Sequence, residues 1–363
     1  MICINNLLKC PNFQDLNSKS FNPCLTLGHH KKNINLNTEF CSKEFIQELR
    51  KASECHKMVR YQLQNFIRPG MKIFDICNFV ENSVVKNFNQ NDMKCGIGFP
   101  LGYSINNCAA HDTASPDDNR ILNFDDVVKI DFGTHVSGRI IDSAFTLAYN
   151  PKYKPLLDAT KEATWAAIKM MGPDTYVNDI SKEIQEVISS YQIEIDGKLF
   201  DIKPIGQLGG HNIKPYIIHG GDLILGRPST IPIIQNMRIR VNECYAIETF
   251  ASTGSGNLIE DTENNNFYSL KQVLDKPKFT LNITNKIYNF AKNKYGTLPF
   301  CSRWLQKEFG PSYKAGMSEL VKKNIANTYP PLNDIKGSYT SQLEHTVYVH
   351  DYGKEVVSCG EDY

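Results

Sequence analysis

No sign of charge prevails in this chain. Its 363 residues carry 40 Lys and Arg against 39 Asp and Glu, so no long-range field marks nucleic acid or an anionic membrane as a partner. No apolar run approaches the roughly 20 residues of a membrane-crossing helix. The opening MICINNLLKCPNF is broken by Asn and Lys before a secretory apolar region of roughly 7–15 residues could form. The 11 cysteines are odd in number and never fall in a CxxC pair, a pattern of reduced thiols that predicts a cytoplasmic protein. Low-complexity stretches and repeats of solenoid period are also lacking. What is present is a 41% apolar content, enough for a substantial core in one large domain with an insertion or in two ordinary domains.

Residues 1–40 show no sustained period and read as a tail. From Ser42, Phe45, Ile46, Leu49, Ala52, Val59, Leu63 and Phe66 recur at helical spacing until Arg68-Pro69-Gly70 ends the pattern. A second helix is predicted over 73–88. Between 120 and 150, VVKIDFGTHV and RIIDSAFTLAY flank Ser137-Gly138 and predict a β-hairpin. Helices at 156–171 and 178–191 follow, then a Gly-rich QLGGHNI loop and strands near 237–250 and 341–349. Residues 262–327 read as three short helices inserted between strands of the main domain. The result is a mixed α/β or α+β domain.

Asp131 and Asp142 interrupt the apolar hairpin strands. A turn centred on Val136-Ser137 sets them directly opposite; a turn centred on Ser137-Gly138 makes them diagonal neighbours. Either register puts them on one face, about 4.5–8 Å apart. A solvated sheet face would explain an ordinary pair of this kind. Here the same face carries Gly133, Ile140 and Ala144, and only Lys129, at its end, favours solvent. Glu248 in CYAIETFAS and Glu344 in SQLEHTVYV also interrupt apolar strands, and His211 follows two glycines. Four carboxylates and one imidazole suit hard to borderline divalent ions such as Mn, Fe or Co. Two such ions would offset about four negative charges and acidify a water. His111 in NNCAAHDT and His219 in YIIHGG lie in polar or Gly-rich segments, where each is either a surface histidine or a group for amine recognition, proton transfer or oxyanion stabilisation.

In order, GFPLGYSINNCAAHDT, KIDFGTHVSGRIIDSAFT, LGGHNIKPYIIHGG, YAIETFASTGSG and DIKGSYTSQLEHT resemble the signature blocks of type 2 methionine aminopeptidases, from about residue 41 to Tyr363. The resemblance implies an α+β pita-bread fold, with curved antiparallel sheets enclosing a dinuclear metal site and a small helical insertion. It divides the chain into a tail at 1–40, a catalytic domain at 41–261 and 328–363, and the insertion at 262–327. It implies that Asp131, Asp142, His211, Glu248 and Glu344 hold two divalent ions, with Mn, Co or Fe expected and Zn tolerated. It places His111 at the substrate amine and scissile bond, where the family is alkylated by fumagillin-type epoxides, and His219 at the tetrahedral intermediate. Phe99, Ile218 and Tyr329 match the methionine pocket, and Glu248 is the candidate expected to serve as the acid/base. The partners implied are nascent polypeptides with an N-terminal methionine, followed by a small second residue, and ribosome association at most transient; a monomer is expected, with no nucleic acid or membrane partner.

Two departures stand out. Where the family commonly has a pocket histidine, this chain has Asn266 or Phe267, and the long charged N-terminal extension of animal relatives is reduced to a short tail. A prolidase or Xaa-Pro aminopeptidase would share the metal ligands, but the NNCAAH block and the insertion weigh against it. A non-catalytic relative on the same scaffold would typically have lost ligands.

Overall fold

The computed structural model describes residues 25–27, 43–275 and 277–363. The expected tail at 1–40 lies outside them apart from Leu25–Leu27, a strand that pairs with Gly353–Val356.

Two similar layers make the molecule. In the first, helices α1 (Lys43–Phe66) and α2 (Ile73–Phe88) cover a three-stranded antiparallel sheet of Cys95–Ile105, Val127–Val136 and Arg139–Ala148. The helical spacing of apolar residues explains the contact: Leu49, Ala52, Val59 and Leu63 of α1 are buried, and His56 stacks on Phe132 at 4.0 Å. The chain reverses between the helices at Gly70, whose φ of +93° favours glycine. In the second layer, α3 (Lys154–Met170) and α4 (Val177–Ser189) pack their alanines and isoleucines against Tyr245, Ile247, Val347 and Val349. Those residues belong to a sheet ordered Leu25–Leu27, Gly353–Val356, Thr340–His350, Glu243–Ser252, Gly209–Ile213 and Leu223–Leu225.

The hairpin turns on Ser137 and Gly138, both left-handed at φ 49° and 76°, as a two-residue turn of this hand requires. Of the two registers open to the sequence, this selects the diagonal one: Asp131 faces Ala144, and Gly133 faces Asp142.

The layers meet where Arg139–Ala148 runs antiparallel to Thr340–His350 without a backbone ladder. Threonines replace it. Asp142 N donates to Thr346 Oγ1 (2.8 Å), which donates to Asp142 O (2.6 Å). Gln342 N likewise donates to Thr146 Oγ1 (2.7 Å), which donates to Gln342 O (2.8 Å). Ser143 Oγ adds a bond to Glu344 O (2.8 Å).

Three sequence expectations change. Lys129 is not a solvent-favouring residue: it is 1% exposed, and its ammonium donates to Asn106 O (2.9 Å) and Val127 O (3.3 Å). His211 is not in a loop. Its glycines serve a strand, because a Cβ at Gly209 or Gly210 would run into the carbonyls of Ile224 or Ala246 on the flanking strands. The segment read as three short helices holds them, at Asn282–Lys294, Ser302–Phe309 and Tyr313–Lys322, but adds a small sheet of Phe300–Cys301, Phe267–Leu270 and Ala326–Tyr329, the last running past 327. Strands of two to four residues are too short to show a period.

The threonine junction makes a direct prediction. Thr346→Val leaves the buried Asp142 N–H and C=O without partners and is expected to cost about 2 kcal/mol, lowering Tm by several degrees. Thr346→Ser, which keeps the hydroxyl, is expected to cost about 1 kcal/mol or less. Thermal unfolding of both variants checks the difference, and equal Tm values would rule it out.

Candidate metal centre

All five carboxylate and imidazole groups are brought to the junction. Glu248 and Glu344 are direct partners on paired strands, and His211 pairs with Ala246, two residues from Glu248. Side chains two apart on a strand share a face, so His211, Glu248 and Glu344 point the same way. Across the junction, Asp131 and Asp142 share the opposing hairpin face. One ligand atom each from Asp142, His211 and Glu344 lies within 4.8 Å of the others. His211 Nε2 is 3.6 Å from Asp142 Oδ2 and 4.0 Å from Glu248 Oε1.

Like charges directly opposite on a sheet repel, and here burial aggravates it. The Asp131 carboxyl is pushed up to about 7 by burial, against one Gln342 hydrogen bond. Asp142, Glu248 and Glu344 are driven well above the usual range by burial first and then by neighbouring carboxylate charge, from Asp131 on Asp142 and from Asp142 foremost on Glu248 and Glu344. His211 is pushed well below its ordinary value, by burial and then by His219. Its closeness to Asp142 is therefore no ion pair: the imidazole is neutral, the form that ligates a metal. Asp131 Oδ1 and Glu344 Oε2 are buried without a hydrogen-bond donor. Such orphaned oxygens, in an oxygen-rich set with one nitrogen, fit divalent ions of the Mn, Fe, Co and Zn group.

The acids form the floor of a cavity of about 230 Å³ whose lining includes every residue expected at the site: Phe99, His111, Asp131, Asp142, His211, Ile218, His219, Glu248, Tyr329 and Glu344. His219 sets its ring edge to His211 at 4.4 Å, and His111 lies edge-on to Tyr329 at 5.7 Å. Burial lowers His219, while burial and then His219 lower His111 to about 4. Of the two residues at the departure from the family pattern, Phe267 lines the cavity, whereas Asn266 turns away to accept from Ser302 Oγ (2.5 Å).

Gln342 was not singled out from the sequence. Its Nε2 donates to Asp131 Oδ2 (3.3 Å) and Glu248 Oε2 (3.1 Å), tying one acid of each layer together. The signal available was its place two residues before Glu344, on the same strand face.

Buried carboxylates and a neutral imidazole at the base of an apolar chamber define a metal-dependent hydrolase scaffold. The sequence matches metallopeptidase family M24 over residues 47–351. It is 43% identical over 328 residues to the methionine aminopeptidase 2 of Debaryomyces hansenii, covering 87% of this chain and 75% of that one. Among solved structures, a thermophilic Arx1 superposes with a TM-score of 0.75 at 19% identity, covering 87% of this chain and 91% of the other. The methionine aminopeptidase of Thermotoga maritima does so at 0.60 and 17%, covering 88% and 99%. The chain belongs to metallopeptidase family M24 and, within it, to the methionine aminopeptidase 2 group; its fold is the pita-bread α+β fold, and the family's centre takes two divalent ions.

Raised carboxylate values have a definite sign in metal-free protein. A carboxyl at about 7 when folded and about 4 when unfolded takes up a proton on folding between those values, so stability present below about pH 4 is lost as pH rises through about 7. Below about pH 6.5 the lowered values of His111, His211 and His219 act in the opposite sense, because the unfolded chain protonates those rings first. Above it the carboxyls act alone, so chelated protein is expected to lose Tm as pH rises from about 6.5, and Mn or Co to restore it at about pH 7.5. A Tm in chelator that stays flat as pH rises above about 6.5 would contradict the electrostatics described.

Proposed function

We propose that this chain removes the N-terminal initiator methionine from nascent proteins and peptides, with two divalent ions and a preference for a small second residue. One observation carries the reading: four buried carboxylates and a neutral imidazole face an apolar chamber sized for a single side chain. The curated relatives carry the same activity in their name.

When bound at Asp131, Asp142, His211, Glu248 and Glu344, the ions would supply Lewis acidity toward the scissile carbonyl and a lowered pKa for the attacking water. The chain's own groups do the rest. Phe99, Ile218 and Tyr329 hold the methionine side chain, whose unbranched, polarisable thioether suits aromatic and aliphatic walls. His111, neutral at working pH because burial lowers it to about 4, keeps one ring nitrogen as an acceptor for the substrate amine and the other as a donor. His219, neutral for the same reason, donates to the oxyanion of the tetrahedral intermediate. Glu248 takes the proton of the attacking water and passes it to the leaving amine, and Gln342 Nε2 orients its Oε2. Segments 41–261 and 328–363 form the catalytic domain in this reading, and 262–327 closes one wall of the chamber.

A monomer in the cytoplasm, contacting ribosomes at most transiently, completes the proposal. Its support is the near-zero net charge, the free thiols of Cys55, Cys77, Cys95, Cys108, Cys244 and Cys301 and the finding that, among described residues, no helix is long and apolar enough to cross a membrane.

Metal-stripped protein reconstituted with Mn, Co, Fe or Zn one at a time is expected to cleave Met-Ala-Ser and to leave N-acetylated Met peptides and Xaa-Pro dipeptides intact. Asp142→Asn or Glu344→Gln is expected to lower turnover about a hundredfold or more. Inertness with every ion, or wild-type turnover in both variants, would refute the proposal.

A further inference from the structure

The segment after His111 is pinned residue by residue. His111 itself is left-handed, at φ 67°. Asp112 N donates to Ser104 Oγ (3.2 Å), Tyr103 N donates to Asp112 O (2.7 Å), and Arg120 holds the Asp112 carboxylate. Thr113 Oγ1 donates to Leu101 O (2.7 Å). The last tie comes from the insertion. Arg303, in the first turn of helix Ser302–Phe309 and 6% exposed, donates through Nε to Ala114 O (2.9 Å) and through Nη2 to Thr113 Oγ1 (3.4 Å). Its two terminal nitrogens grip Glu81 of α2 at 3.0 and 2.7 Å. Glu81 also accepts from Trp304 Nε1 (2.8 Å) and Leu101 N (3.4 Å). Four residues before Arg303, Pro299 lines the cavity, and Cys301 pairs with Phe267 of its wall.

We infer that Arg303 is a positioning residue: held by Glu81, it couples the inserted subdomain to the His111 segment, so that one buried guanidinium fixes both His111 and the adjoining pocket wall. The inference rests on the substrate-facing role given to His111 above. Only a forked, planar donor can meet the Glu81 carboxylate in parallel and still spend its Nε on a carbonyl. Lysine keeps the charge and loses the fork.

The test compares the Co-loaded full chain with Arg303→Lys and with the charge-neutral double variant Glu81→Gln/Arg303→Met, which avoids leaving one buried charge alone. Three quantities are read: kcat/KM on Met-Ala-Ser, the rate at which a fumagillin-type epoxide labels His111 by mass spectrometry, and Co affinity by calorimetry on stripped protein. Labelling and kcat/KM are expected to fall together about tenfold, while Co affinity holds, because Arg303 touches none of Asp131, Asp142, Glu248 and Glu344. Unchanged labelling in folded variants would overturn the inference, as would a loss of Co affinity equal to the loss of labelling, the mark of general support alone. Failure of the wild-type chain to cleave or to be labelled would instead overturn the proposed function and this inference with it.

Discussion

Mutual repulsion among four buried carboxylates is the constraint to which the rest of the molecule answers. Unfavourable groups stay together only if the backbone carrying them is fixed by something else, and that is the work of the junction. Threonine hydroxyls stand in for a peptide ladder, each accepting one N–H and donating to the C=O of the same residue opposite, so the buried peptide groups of Asp142 and Gln342 are both matched. Because the hydroxyls occupy the gap, the two strands are held apart by a side chain's width. Between them lies room for ions that a continuous sheet would have closed.

The two layers behind the junction are rigid for ordinary reasons. Apolar faces of α1 and α2 cover one sheet, and those of α3 and α4 cover the other, so moving an acid means moving a packed layer. Gln342 adds a hydrogen-bonded bridge between Asp131 and Glu248. Its amide can donate to carboxylates whatever their charge, and its own Oε1 lacks a donor, a further sign of how acceptor-rich the centre is.

Much of this was legible in the chain itself. The helices at 43–66 and 73–88 announce themselves through apolar spacing, and the hairpin acids through their odd company of Gly133, Ile140 and Ala144. What stayed hidden depends on distant partners. Lys129 has the chemistry of a surface residue, and the carbonyls of Val127 and of Asn106, the latter presented by a left-handed backbone at φ 53°, make its burial tolerable. The glycines before His211 spell a loop until the neighbouring strands are known to press against them. Gln342 carries no charge to draw the eye, and the tie from Arg303 to Ala114 spans 189 positions.

The order of the strands along the chain bears on how the protein is made. Asp131, Asp142, His211 and Glu248 are all synthesised before Glu344, which arrives on Thr340–His350, the strand that also brings Thr346 and Gln342. Until that strand emerges and docks, Glu248 lacks its direct partner and the hairpin lacks its threonine spacer. Ion capture is thereby deferred to the closing stage of vectorial folding, and a chain stalled before this strand holds an incomplete nest with little grip on metal.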